Sequence, residues 1–330
     1  MKNRLSLLKT MTTKKITDDE GIKVSFFENP IKLPMVMKPV HAGFDINSWV
    51  IDNRIQFEDN LRKYGGILCR GFGIDTVDKF ETLMNKFPND LLDYSFRSSP
   101  RFELSNNVYV STTYPEDQII NMHSESSYAP NHPSRIVFCC IIPATLRGET
   151  PIADNRLILQ NLSETLRNKF LNKGIQYRRN LSGVLGLNWQ EVFQTSDKKM
   201  VEEECLQNGM NFNWVSDDQL VLTWTKKAIW EHPITKELAW FNHGLFFNKY
   251  MLNNDILDSV TSDEELPNNT FFGDGTEISK EEIEELKNAY KKATIMFPWE
   301  KGDVLFLDNM LASHGRNSYQ GERKIIVSIS

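Results

Sequence analysis

The chain has 330 residues, 40% hydrophobic, 11% aromatic and 25% charged, with a net charge of −6 from 38 basic and 44 acidic side chains. That is the composition of an ordinary soluble globular protein with apolar residues enough for a sizeable core. The acidic balance, with no clustered basic patch, speaks against general nucleic-acid or anionic-membrane binding, and no apolar run reaches membrane-spanning length.

The N-terminal stretch MKNRLSLLKTMTTKKITDDE lacks the sustained apolar core and cleavage site of a signal peptide, and Met11 is an alternative natural start. A cytoplasmic location is expected. Cys69, Cys139, Cys140 and Cys205 show no CxxC or zinc-finger spacing, so no disulfide framework is predicted. Cys139 and Cys140 fall inside the apolar run IVFCCII, where buried free thiols are expected.

Residues 1–45 read as an irregular lead-in whose apolar stretch, IKLPMVMKPV, is broken by prolines. Asn47 or Ser48 is predicted to cap a helix running to about Tyr64. Trp49, Ile51, Ile55, Phe57 and Leu61 form its mixed apolar face, and Gly65–Gly66 ends it. ILCRGFG (67–73) reads as a strand, and Asp75 or Thr76 opens a second helix carrying Phe80, Leu83 and Met84. VYVSTTY (108–114) is a strand leading toward residues 121–130. IVFCCII (136–142), β-branched, aromatic and apolar on both faces, suits a buried strand. RGETPIADN follows as a turn. Asn155–Lys173 is predicted helical from Leu159, Leu162, Leu166 and Phe170 at three- and four-residue steps, with Gly174 as its stop. Strand-like runs LVLTW and LAWFNHGLFF lie within 175–250. The pair Ser279 and Glu282 is a capping box for a helix to about Ala293, with Ile283, Leu286 and Tyr290 on one face. TIMFPW, DVLFLDN and KIIVSIS are three late strands.

The stretch NMHSESSYAP (121–130) places His123 and Glu125 two residues apart, a spacing that turns both side chains to one face of a strand. An imidazole and a carboxylate then converge on one metal ion. Only six histidines are available, and His314 in LDNMLASHGRNSYQGERKIIVSIS is the candidate for a third ligand. Two histidines and a carboxylate on one side of a metal, with open positions opposite, mark non-haem Fe(II) oxygenases. An isolated H-x-E means little, because either residue is more often a surface side chain. Arg323 follows nine residues after His314, and its guanidinium suits bidentate capture of a carboxylate. Taken alone it reads as a surface ion pair.

The runs MHSESSYAPNHPSRIVFCCIIPATLRGETPIADNR and FPWEKGDVLFLDNMLASHGRNSYQGERKIIVSIS resemble the taurine dioxygenase-like superfamily of Fe(II)/2-oxoglutarate oxygenases. Within it they are most similar to the clavaminate synthase-like and syringomycin-type aspartyl hydroxylase branch, where H-x-E replaces the commoner H-x-D. The resemblance spans roughly residues 100 to 330, with weaker echoes at 65–85. It implies an all-β core with helices (α+β): a double-stranded β-helix (jelly-roll) with N-terminal and inserted helices, as one domain over 46–330. It implies Fe(II) on His123, Glu125 and His314, with 2-oxoglutarate and O2 as co-substrates. Thr150 in R-G-E-T matches the threonine that touches 2-oxoglutarate, and Arg323 matches the co-substrate arginine. Two departures stand out. Arg147 replaces the first glycine of the family's G-G-x-T segment, and Lys324 follows Arg323 where many relatives carry a second arginine. Strand alternation lets only one of that pair face the pocket.

The same resemblance implies oxidation of a C–H bond of an amino acid or a carrier-bound aminoacyl group in secondary metabolism, with a carrier protein as a possible partner. Asn309 and Arg316 sit beside the metal strand, either holding co-substrate or substrate or supporting the ligands from behind. Ser126 and Tyr128 are candidate substrate contacts. His243, among aromatics, reads as a core residue, and His41, His132 and His232 as loop residues. The competing readings are a zinc-dependent hydrolase using the same His2Glu set and a non-catalytic jelly-roll binding protein.

Overall fold

The computed structural model describes residues 13–19, 21–87, 103–105, 108–111, 114–252 and 254–330; Met11, the alternative start, lies outside them. Its largest sheet has nine strands. In spatial order they are Thr13–Asp19, Ile22–Phe27, Met35–Pro39, Gly66–Cys69, Val304–Asp308, Arg135–Ile142, Lys324–Ile329, Val108–Val110 and Glu103–Ser105. Three of these strands lie inside the supposed irregular lead-in. The prolines that suggested irregularity, Pro34 and Pro39, sit just before and at the end of Met35–Pro39, where their missing N–H groups break no central ladder. A four-stranded sheet, Thr294–Ile295, Ile152–Asp154, Ala312–Arg316 and Ile120–His123, lies against the first.

The pleat explains how the large sheet serves two cores. Leu68, Phe138, Cys140, Leu305 and Leu307 point toward the small sheet and pack with its Ile152, Ile295 and Ala312. Their neighbours Ile67, Cys69, Val137, Cys139, Val304 and Phe306 point the other way, under Phe57, Leu61, Phe80 and Leu83 of the N-terminal helices. IVFCCII is thus apolar on both faces because both faces are covered. A fully buried Phe or Leu contributes roughly 1.5–3 kcal/mol, so these paired cores hold the two sheets and the N-terminal helices together. All four cysteines are free and buried, and burial pushes the Cys140 thiol up to about 12.

A third sheet, Asn211–Trp214, Leu220–Lys226, Ile175–Leu181 and Asn268–Phe272, forms a separate layer. Its core is shared with helix Lys280–Ala293, whose Ser279–Glu282 capping box is made in both directions. No helix among the described residues is long and apolar enough to cross a membrane.

Several predicted elements differ in detail. The helix expected over 47–64 is two, Ile46–Asp52 capped by Asp45 and Arg54–Tyr64, with Asn53 non-helical between them. The helix expected over 155–173 breaks at Leu162. There Ser163 accepts from the Leu166 N–H and starts a second helix, Glu164–Lys173: a local cap overrides the continuous apolar period. In PIADN, Ile152–Asp154 is a strand rather than a turn, because it completes the small sheet between Ala312–Arg316 and Thr294–Ile295. Of LAWFNHGLFF only Leu238–Trp240 is strand; His243 lies in the irregular segment beyond it. Of TIMFPW only Thr294–Ile295 is strand. VYVSTTY is strand over Val108–Val110, and residues 112 and 113 lie outside the described ones.

Candidate metal centre

Strand Ala312–Arg316 runs antiparallel beside Ile120–His123, and His314 is in register with His123. Directly opposed residues share a face, so the two imidazoles meet, with ring centroids 4.4 Å apart. The register then shifts between His314 and Arg316. Gly315 permits this: a Cβ there would stand 2.7 Å from the Ile120 carbonyl oxygen.

Glu125 does not sit on the strand, which ends at His123. It lies in the turn that follows, where Ser126 takes a left-handed conformation, φ 52°, and Ala129 N–H donates to the Ser126 carbonyl. The two-residue spacing therefore puts carboxylate and imidazole together by a different local route from strand alternation. The turn is clamped from outside. Glu125 N–H donates to Asn309 Oδ1 at 2.7 Å, and Asn309 Nδ2 donates to the Glu125 and Pro133 carbonyls at 2.9 and 2.8 Å. Asn309, expected to hold co-substrate or support the ligands, is fully buried with its whole amide engaged on backbone; it supports.

The result is a compact donor set. Ligand atoms of His123, Glu125 and His314 all lie within 4.8 Å of one another, and Glu125 Oε2 stands 3.8 Å from His314 Nε2. His123 Nδ1 lies 2.8 Å from the Asn121 carbonyl oxygen. A carbonyl only accepts, so the proton is on Nδ1, and Nε2 is left with its lone pair for a metal. Asn155 supports the same turn, donating to Ser124 Oγ and to the Met310 carbonyl.

These three side chains line a cavity of about 360 Å³ that also takes in Thr150, Arg316, Arg323, Phe138 and His243. Thr150 is buried, and its Oγ1 accepts from Trp299 Nε1 at 3.1 Å, which leaves the hydroxyl proton for another acceptor. Arg323 donates Nε to the Gly148 carbonyl at 3.0 Å and lies over the Tyr319 ring, and its two Nη groups have no hydrogen-bond partner among the described residues. Burial, with Arg316 nearby, pulls its guanidinium down to about 10, so it remains a cation at neutral pH. Of the basic pair, Arg323 lines the cavity and Lys324, the first residue of the strand that follows, does not. Arg147 holds the left-handed conformation a glycine would take there, φ 62°, with its side chain exposed. Gly148 has no such freedom, since a Cβ would come within 2.9 Å of both Ala144 and Tyr319.

Arg316 lines the cavity, but its guanidinium donates to the Tyr114, Pro115 and Gln118 carbonyls and lies over the Tyr319 ring. It ties down the segment before the first metal strand. Ser126 and Tyr128, candidate substrate contacts, lie behind the cavity wall; Tyr128 packs on His243 and Phe247 with centroids 4.7 and 4.9 Å away. His232 is a loop residue but a buried one, 3.1 Å from Asp308.

Sequence reasoning missed His243 and Trp299 as members of the site. His243 is buried, as a core residue should be, yet its ring borders the cavity 5.5 Å from that of His123. Burial, with His123 adding to it, holds this imidazole well below the usual histidine range, so it is neutral. No local motif signals it, because the inserted layer carries it to the site. Trp299 stood in plain sight in FPW, but nothing in the run said that its N–H would reach Thr150.

The family model of the taurine catabolism dioxygenase TauD, TfdA family matches residues 32–329. The chain is 36% identical over 275 residues to the dapdiamide synthesis protein DdaC of Enterobacter agglomerans, covering 82% of this chain and 84% of that one. It is 26% identical over 287 residues to a clavaminate synthase-like protein of Arabidopsis thaliana, covering 82% of each. Among solved structures, PvcB of Pseudomonas aeruginosa superposes with a TM-score of 0.57 at 12% identity, over 95% of this chain and 93% of that one. AAD-2 with Mn(II) and N-oxalylglycine gives 0.52 at 13% identity, over 97% of each. At such identities the structural likeness is one of fold.

Proposed function

The chain belongs to the TauD, TfdA family of dioxygenases and is a non-haem iron, 2-oxoglutarate-dependent oxygenase, and from that premise we propose that it oxidises a C–H bond of an amino acid or a carrier-bound aminoacyl group in secondary metabolism. The observation that carries the site assignment is that His123, Glu125 and His314 converge on the wall of the cavity that Thr150 and Arg323 also line. The two facing sheets are read as a double-stranded β-helix, the jelly-roll of the domain we assign to 46–330, with Ile22–Pro39 extending its larger sheet.

In this reading His123 Nε2, Glu125 and His314 would hold iron, and the residues present fit it: two imidazoles and one carboxylate, with His123 and Glu125 pre-oriented by Asn121 and Asn309. When bound, iron supplies the oxidising chemistry, using dioxygen and decarboxylating 2-oxoglutarate to succinate. The protein's part is placement. Arg323 presents its unpaired guanidinium end, and Thr150 its hydroxyl proton, to the far carboxylate of 2-oxoglutarate. Phe138 and Phe246 keep water from the cavity wall beside the ligands. A zinc hydrolase would have no use for a buried arginine and threonine aimed at a dicarboxylate, and a binding protein would have none for the ligand set.

The substrate class is supported by the relatives' names, one a dapdiamide synthesis protein and one clavaminate synthase-like. A carrier protein as partner rests only on the resemblance of the two sequence runs to the syringomycin-type branch. The test is to incubate iron-loaded protein with 2-oxoglutarate and a panel of amino acids, their carrier thioesters and sulfonates. Succinate release and a product heavier by one oxygen atom are expected with an amino acid or its thioester. Oxidation of sulfonates alone would refute the substrate class, and absence of any 2-oxoglutarate turnover would refute the site assignment.

A further inference from the structure

Besides Thr150 and Arg323, the cavity is lined by two polar side chains whose hydrogen-bonding capacity the protein leaves unused. His243 is fixed by its neighbours: its backbone N–H donates to Tyr177 Oη at 2.9 Å, and its Nδ1 lies 2.7 Å from Ser127 Oγ. The Ser127 hydroxyl has one proton, which goes to the Ser124 carbonyl at 3.0 Å, so Ser127 accepts from Nδ1–H. The other ring nitrogen, Nε2, then carries a lone pair, has no protein partner among the described residues, and belongs to a ring that lines the cavity. Asn268, at the start of strand Asn268–Phe272, lines the same cavity, and its Oδ1 is buried without a partner. The contrast with its neighbours is sharp. Asn269 accepts from the Lys249 and Thr270 N–H groups, and Asn248 donates to Thr270. A buried acceptor left empty is a cost in a protein that gains nothing from it.

We propose that His243 and Asn268 anchor the substrate by accepting from an uncharged N–H group, that of an acylated amine or a carboxamide, rather than from a free ammonium. The sign of the field decides between the two. Arg316 and Arg323 line this cavity, and Glu125, the one carboxylate among its described lining residues, belongs to the ligand set. With Arg323 paired to the far carboxylate of 2-oxoglutarate and Glu125 in the ligand set, a buried ammonium there would face Arg316 with no carboxylate of the protein left to pair with, whereas an amide N–H brings a donor and no charge. This rests on the oxygenase reading and narrows its substrate from amino acids at large to amide-bearing ones.

The experiment measures succinate release by iron-loaded protein with three probes for each of several side chains: the Nα-acetyl amino acid, its N-methylated counterpart lacking the N–H, and the free amino acid. The expected result is that the N–H probe exceeds the N-methyl probe in kcat/KM by about tenfold or more, the factor for one lost hydrogen bond. In His243→Phe that ratio should collapse toward one. In His243→Gln, which keeps an acceptor and guards against a folding defect, it should be partly restored. Asn268→Leu should lower it as well. A methyl group that merely clashes would leave the ratio unchanged in His243→Phe, and that result overturns the proposal, as does succinate release driven by free amino acids alone. If no probe stimulates turnover while the protein still consumes 2-oxoglutarate unaided, the anchor is wrong and the oxygenase reading stands. If 2-oxoglutarate is consumed under no condition, that reading fails and the anchor with it.

Discussion

Replacing Asn309 with alanine separates support of the metal turn from contact with the co-substrate. The side chain is 0% exposed and makes three hydrogen bonds, at 2.7, 2.9 and 2.8 Å, to Glu125 N–H, the Glu125 carbonyl and the Pro133 carbonyl. Asn309→Ala strands all three groups in the interior. Each orphaned group costs about 1–3 kcal/mol, and partial relaxation brings the sum to about 3–6 kcal/mol. Against a typical stability of about 5–15 kcal/mol, that is a large fraction. Because two of the bonds fix the peptide of a ligand residue, iron affinity should also fall by about 10- to 100-fold, the usual effect of removing a group that orients a ligand. The KM for 2-oxoglutarate should stay within about twofold, since the amide does not reach the cavity. Urea denaturation gives the first quantity, iron competition against a chelator the second, and steady-state kinetics the third. A variant with normal stability and normal iron affinity but a raised KM for 2-oxoglutarate would show that Asn309 touches co-substrate after all.

Three further outcomes are expected. His123→Ala and His314→Ala should each abolish turnover and weaken iron binding while circular dichroism stays native; normal iron content and activity in His314→Ala would mean the ligand set is wrongly assigned. Arg323→Ala removes a charge-assisted contact worth roughly 1.5–3 kcal/mol, so the KM for 2-oxoglutarate should rise about tenfold to a hundredfold. Lys324→Ala, outside the cavity, should leave that KM near wild type, and a reversed pattern would move the role one residue along. With Glu125 as a ligand, products formed in chloride buffer should contain no chlorine by mass spectrometry; halogenases of this fold lack that carboxylate, and a substantial chlorinated product would contradict its role.

Chemistry carried by short motifs was legible before folding. The residue types and spacing of His123, Glu125 and His314 already suggested a metal site, the resemblance of their two runs to a known family implied Thr150 and Arg323 as co-substrate contacts, and the structure lines one cavity with all five. The strand IVFCCII and the Ser279–Glu282 cap were equally local, since a short continuous apolar run and capping chemistry act over a few residues. What the sequence could not settle is which side chain faces where once distant elements meet. Glu125 reaches the site from a turn, not a strand, because Asn309 grips its peptide from far along the chain. Arg316, beside the ligand in sequence, is drawn off to the carbonyls of 114–118, while Tyr128 is buried behind the wall. His243 and Asn268 enter the site only because the inserted sheet docks there, and no periodicity or motif records a docking. Local patterns specify the ligands and their order, but pleat, register and packing between remote strands decide which of the remaining polar groups are engaged and which are left facing the cavity.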